Sequence, residues 1–303
     1  MNSVRGRLGE ARLSVNQTVE LDELEVLFEI GWTWGIASDA PEVALQTYGD
    51  YIGAQPAGLA ESSPALYFTT QVTEAIGYLF AERTMTLGVL NEEQERLASA
   101  LRLRRDLTQK YWSRLARFGE SWPVENIPWR TVDGKKSNYF SLLVCALVIQ
   151  EFQQRNVDEH DLRRIEALMS ELARRARILH RPLRGDPGTI YVLDELIFME
   201  ATFPVHTRFG WLADEFAPVL LKCAAQLAAL TSDPFMREEL LDLATTVWYH
   251  LQPRLNDTER SLTKWRSSGQ MFSSLQPTDG AVSWPLTAQI VDALVTAGTP
   301  PTW

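Results

Sequence analysis

Cysteine, histidine and lysine are scarce in this 303-residue chain. The two cysteines, Cys145 and Cys223, both stand in apolar stretches. Two thiols in so long a chain build no disulfide framework, and a buried free cysteine behaves as a small hydrophobe. Histidine occurs at His160, His180, His206 and His250, and the residues three places before are Val157, Arg177, Phe203 and Val247. The Glu-x-x-His pairs that hold a di-iron centre on one helix face are therefore missing. His-Glu-x-x-His and Cys-x-x-Cys are missing too, so no metal and no cofactor is expected. Lysine stands only at positions 110, 135, 136, 222 and 264. With arginine carrying the remaining positive charge, and with abundant Ala and Leu, the composition points to the coding bias of a GC-rich bacterium.

Long hydrophobic runs are absent as well. The longest, Leu142 to Ile149, falls far short of the ~20 residues a membrane helix needs. The opening stretch MNSVRGRLGEARLSVNQ lacks the apolar run of a secretory signal, and a cytoplasmic location without membrane attachment is the expectation. A net charge of −10 removes the bulk attraction to phosphate that non-specific nucleic-acid binding requires. Nucleic acid is thus disfavoured as a partner, and a protein partner is expected instead. Hydrophobic residues at 45% and charged ones at 22% suffice for a sizeable core.

What the sequence does have is clear helix punctuation. Asp39 with Pro41, Ser63 with Pro64, and Asp233 with Pro234 each pair an N-cap with a proline in the first turn. Ser283 caps a last helix, Asn91 with Gln94 forms a capping box, and Asp158 with Asp161 sets acids over a positive helix end. Gly88, Gly119, Pro182, Pro253 and Gly298 read as stops. Helices are predicted over roughly 20–37, 40–52, 64–87, 91–118, 137–155, 158–181, 189–201, 208–230, 234–251 and 284–297. The fold class is all-α, with about ten helices in one array or two packed bundles. The apolar segment YFSLLVCALVI predicts a central buried helix near 139–152. The domain reading is an N-terminal bundle over 1–120, a Trp/Pro-rich connector over 121–136 and a C-terminal bundle over 137–303, the two forming one continuous domain as an alternative.

In 91–118 the residues Leu97, Ala100, Leu101, Leu107, Tyr111, Leu115 and Phe118 share a predicted apolar face, and Arg104 falls within it. A buried arginine requires a carboxylate or a ligand, which makes Arg104 a candidate binding residue. In 158–181 the corresponding arc is Leu162, Ile165, Leu168, Met169, Leu172, Ala176 and Leu179. The connector holds Trp122, Trp129, Arg130 and Asp133, an aromatic face, a cation and a tight turn of the kind found at interaction hot spots. The alternative there is that both tryptophans plug a seam between helices. A third patch, 193–211, brings Glu195, Glu200, His206 and Arg208 around Pro204.

Arg174 or Arg175 followed by His180 resembles the Arg-x(4–6)-His spacing of the helical ribonucleases called HEPN domains. The resemblance covers these few residues and implies a general base beside a positive charge for phosphodiester cleavage. The chain departs from the pattern after the arginine, where Arg175 or Ala176 replaces the family's frequent polar residue. On a straight helix Arg175 and His180 point about 140° apart. An isoprenoid synthase would need clustered acids, and Asn256 to Ser261 places its serine one position late with no aspartate-rich motif before it. The leading expectation is a non-enzymatic helical interaction module, subunit or regulator of a larger assembly. An RNA-cleaving effector of a bacterial defence or toxin system, and a small-molecule enzyme with a pocket between helical halves, are the alternatives.

Overall fold

The computed structural model describes residues 31–32, 44–46, most of 66–116, 138–154, most of 157–192, 198–201, 207–256 except 211, 264–265 and 283–298. The class is all-α, and seven helices stand among these residues. They are α1 (Leu66–Leu79), α2 (Glu92–Ala116), α3 (Asn138–Phe152), α4 (Glu159–Arg175), α5 (Phe216–Leu230), α6 (Pro234–Leu251) and α7 (Trp284–Gly298). The chain divides into two compact units, one of Met1–Pro41 with Gln55–Gln154 and one of Glu42–Ala54 with Arg155–Trp303. The division after Gln154 places the apolar helix α3 in the first unit, whereas the connector expected over 121–136 lies outside the described residues.

In the first unit α1, α2 and α3 pack on one another. Every residue of α3 from Tyr139 to Ile149 is buried, as is Phe152. A helix covered on all sides needs no polar stripe, which is why its sequence shows no amphipathic period. Each of its large apolar side chains contributes about 1.5–3 kcal/mol of burial. The capping box forms at the start of α2: Asn91 N–H donates to Gln94 Oε1, and Gln94 N–H donates to Asn91 Oδ1, both at 2.9 Å.

The buried face of α2 is turned from the predicted one. Ala98, Thr108, Gln109, Tyr111, Trp112, Ser113 and Ala116 are buried, whereas Leu97 and Leu103 are exposed. Three buried polar residues explain the turn, because each finds a partner. The Thr108 hydroxyl donates to the carbonyl of Arg104, and Ser113 donates to Glu151 on α3. Gln109 donates to Gln150 and accepts from Gln154, so the α2–α3 seam is a ladder of side-chain amides. On α1 the buried Thr70 and Thr73 satisfy their hydroxyls on carbonyls one turn back. Thr69 accepts from Trp32 N–H at 3.0 Å and donates to Trp32 O at 3.1 Å, pinning that residue to the helix.

In the second unit α5 is the hub, packed against α4, α6 and α7, and α4 also meets α6. Asp158 caps α4, Asp233 with Pro234 caps α6, and Ser283 accepts from Leu286 N–H at the head of α7. The α4 arc from Leu162 to Ala176 is buried as expected, but Leu179 is exposed because the helix ends at Arg175, not near 181. Arg177 takes a left-handed φ of 54°. Ile178 N–H donates to Ala173 O and Arg177 N–H to Arg174 O, the pair of bonds that closes a Schellman C-cap.

The described strands pair in short antiparallel ladders. They comprise β1 (Ala44–Gln46), β3 (Phe198–Ala201) and β4 (Thr207–Gly210) in one ladder set. The remaining pairs are β2 (Tyr191–Val192) with β5 (Leu212–Ala213), and β6 (Leu255–Asn256) with β7 (Lys264–Trp265). The helices predicted over 40–52 and 189–201 are thus replaced, within the described residues, by strands of two to four residues. The second stretch begins with Thr189, Ile190, Tyr191 and Val192, branched and aromatic residues that favour extended backbone. The predicted helix from 208 likewise begins only at Phe216. Of the predicted helix over 20–37, only Gly31 and Trp32 are described, and neither is helical.

Candidate functional site

Four of the residues singled out in the sequence, Trp122, Trp129, Arg130 and Asp133, lie outside the described residues. Arg104 is not in the buried face; it is exposed, because the α2 face is turned by the buried Thr108 and Gln109. Its guanidinium lies 5.0 Å from the centre of the Trp32 ring, and its Nη2 donates to Gly31 O at 2.8 Å. This cation–π contact ties α2 to the segment already pinned on α1. The half-buried arginine is the next one along, Arg105. It packs over Gly77 of α1, where a β-carbon would meet Arg105 Cζ at 3.6 Å. Burial lowers the guanidinium's proton affinity, and neighbouring Asp106 acts in the opposite sense. Among the described residues Arg105 Nε and Asp106 Oδ1 have no hydrogen-bond partner.

Arg174 and Arg175 both turn to Glu171. Arg174 donates twice to its carboxylate, at 2.7 and 2.6 Å, and Arg175 Nε donates at 2.7 Å. Hydrogen bonds from Arg174 and then Arg175 hold the Glu171 carboxyl down to about 2. His180 lies beyond the helix end, exposed, with its ring centre 4.9 Å from that of Tyr249 on α6. In the patch at 193–211, the β3–β4 ladder sets Glu200 opposite Arg208 in register. Glu195 and His206 are outside the described residues.

One ionic cluster among the described residues of the second unit was not legible in the sequence. It gathers at the C-terminal end of α6, which runs into a short 3-10 turn, Gln252–Arg254. Arg254 is 1% exposed, and its guanidinium donates to Asp214 O at 3.1 Å and to Asp214 Oδ2 at 3.4 Å. Desolvation pulls its proton affinity down, against Asp214 and Glu215, which raise it. His250, one helical turn earlier, is fully buried. Its Nδ1 lies 2.9 Å from Leu179 O and 3.3 Å from Leu179 N. Asp186, also buried, accepts from Leu183 N–H at 2.6 Å and faces Arg177 Nη1 at 3.8 Å. The chain returns on itself here, since Gly188 N–H donates to Ala176 O at 2.7 Å. The one sequence signal was His250 and Arg254 at i and i+4 around Pro253, and their partners lie 71 and 40 residues away.

A second clasp closes the turn between α5 and α6. Glu159, in the first turn of α4, accepts from Thr231 Oγ1 at 2.9 Å and from both N–H and Oγ of Ser232. Desolvation alone would raise its carboxyl, but these donors outweigh it and hold the group below its ordinary range. Arg163 meets Asp233 at 2.6 Å, and Arg237 Nη2 donates to Thr231 O at 2.6 Å. Lys222 on α5 and Asp292 on α7 form a further ion pair. Among the described residues no three His, Cys, Asp or Glu side chains converge as metal ligands would. Nor is any described helix long and apolar enough to cross a membrane.

Fold and clusters together define an all-α protein of two helical units whose internal charges fasten helix ends and returns. The chain belongs to the SCO2524-like family, whose model matches residues 1–300. No curated protein and no solved structure matches the chain.

Proposed function

We propose that the protein is a helical interaction subunit or regulator, working by contact with a protein partner in the cytoplasm of a bacterium. The observation that carries this reading is the outer face of α7. Trp284, Ala288, Val291 and Val295 recur at i, i+4, i+7 and i+11, so they share one stripe of the helix, and all four are exposed. An apolar stripe of this period suits a partner helix laid along it, side chains of one entering the grooves of the other. The net charge of −10 favours a protein over a nucleic acid. The ionic clusters add support, because their groups are engaged with one another and with backbone rather than aimed at a substrate.

The nuclease reading draws less support. Both of its arginines are engaged by Glu171, and its histidine ring packs at a tilt of 47° against that of Tyr249. Affinity capture from the native host, with mass spectrometry of protein and RNA, tests both readings. The expected result is a reproducible protein that is retained by the wild-type chain and lost with Val291→Asp, the variant keeping its native circular dichroism. Capture of RNA alone, with cleavage abolished by His180→Ala, would overturn the reading in favour of a nuclease.

A further inference from the structure

The first turns of α2 bury almost nothing of their own. From Glu92 to Arg104 only Ala98 is buried, although the helix runs unbroken to Ala116. Its inner face is buried from Thr108 onward, where Gln109 and Ser113 bond to α3. Helices in proteins draw most of their stability from packing, so about three and a half turns left this open are suited to a partner. Apolar side chains stand among them: Leu97 is 63% exposed and Leu103 is 56% exposed.

One stripe of this open face is complementary to its own reverse. Glu92, Arg96, Ser99, Leu103, Asp106 and Lys110 follow one another at alternating steps of four and three, the spacing of a coiled-coil seam. All are exposed except Asp106, which is half-buried. Read forwards the stripe is acid, base, small, large, acid, base; read backwards it is base, acid, large, small, base, acid. A second α2 laid antiparallel, with a two-fold axis level with Leu101, sets Glu92 against Lys110, Arg96 against Asp106 and Ser99 against Leu103. The symmetry makes each of these pairings twice. Opposite charges then meet at both ends, and a small residue faces a large one on either side of the axis. A parallel pair would instead set every charge against its own copy.

We propose that the outer face of α2 pairs antiparallel with the same face of a second copy, making the chain a homodimer through its first unit. Charge selects this occupant. A nucleic acid would meet the acids of the stripe and a net charge of −10, whereas a second copy answers each charge with its opposite. A seam about 27 Å long, from Glu92 to Lys110, lies at the small end of specific interfaces, so the dimer is weak and reversible. The stripe proposed for a partner protein is on α7, a different helix. The two surfaces are therefore lost by different variants, Leu103→Asp here and Val291→Asp there.

Sedimentation velocity of the full-length chain, over about a hundred-fold range of concentration into the high micromolar, reads the association directly. The sedimentation coefficient is expected to rise with concentration toward that of a dimer, and Leu103→Asp is expected to hold it at the monomer value with native circular dichroism. Glu92→Lys and Lys110→Glu are each expected to dimerise about ten-fold more weakly alone, since like charges then meet at both ends of the seam. Mixed in equal amounts, they are expected to recover the wild-type strength as a heterodimer, in which Lys at position 92 of one chain faces Glu at position 110 of the other. Should Leu103→Asp unfold, the mixture decides, because both of its altered positions are exposed. A chain that stays monomeric at every concentration would overturn the proposal. So would a dimer that tolerates Leu103→Asp, or charge variants that remain weak when mixed.

Discussion

A β-carbon at Gly188 would stand 2.3 Å from Cδ1 of Ile178 and 2.9 Å from the carbonyl oxygen of Ala176. The second contact is with backbone, which cannot swing aside as a side chain can. Gly188→Ala is therefore expected to destabilise the second unit by about 1–3 kcal/mol, the usual cost of overpacking. Gly77→Ala is the control, since its β-carbon would make ordinary contact at 3.6 Å. Urea unfolding checks both, and equal midpoints for the two variants would mean that the return yields without strain.

Arg177 occupies the left-handed position of the α4 C-cap, where glycine is the residue without a steric penalty. Arg177→Gly is expected to raise stability by up to about 1 kcal/mol. The contact it gives up, 3.8 Å to Asp186 from a mostly exposed side chain, contributes little. A lower thermal midpoint for this variant would show that the ion pair outweighs the backbone gain.

Arg254 should be far less tolerant. Removing the guanidinium leaves Asp214 and Glu215 without their buried counter-charge, and Arg254→Ala is expected to cost about 3–5 kcal/mol. Arg254→Lys is expected to restore only part of this, because one ammonium cannot reproduce two separately directed donors. Full recovery by lysine would reduce the role of Arg254 to simple charge balance.

Glu171 sets an acid-side limit. Its folded carboxyl, at about 2, lies below the ordinary 4.5, so its contribution is complete above about pH 4.5 and is lost as pH falls toward 2. The stability gap between wild type and Glu171→Gln is expected to close over that window. A gap unchanged by acid would show that the bonds from the two arginines do not depend on the carboxylate charge.

Four helix starts were legible because their caps are local. Asn91 with Gln94, Asp158, Asp233 and Ser283 each meet a donor two or three residues away, within reach of sequence spacing alone. The buried helix α3 was legible for a related reason, its composition leaving no face for water. The end of α4 was not, because an arginine stands where the left-handed turn would advertise a glycine. Nor was the face of α2, since Thr108, Gln109 and Ser113 look polar in a sequence and become core once their hydrogen bonds are made. The cluster of His250 and Arg254 stayed hidden because its partners come from distant segments.

The two thiols have a use that follows from where they sit. Cys145 is fully buried in the first unit, on α3, and Cys223 is buried in the second, on α5, where desolvation lifts it to about 12. Neither reacts with an alkylating probe until the helix around it opens. Each unit thus carries its own internal clock of unfolding. Peptide-resolved labelling in rising denaturant would time the two openings separately in an unmodified chain, and tell whether the units melt as one body or as two.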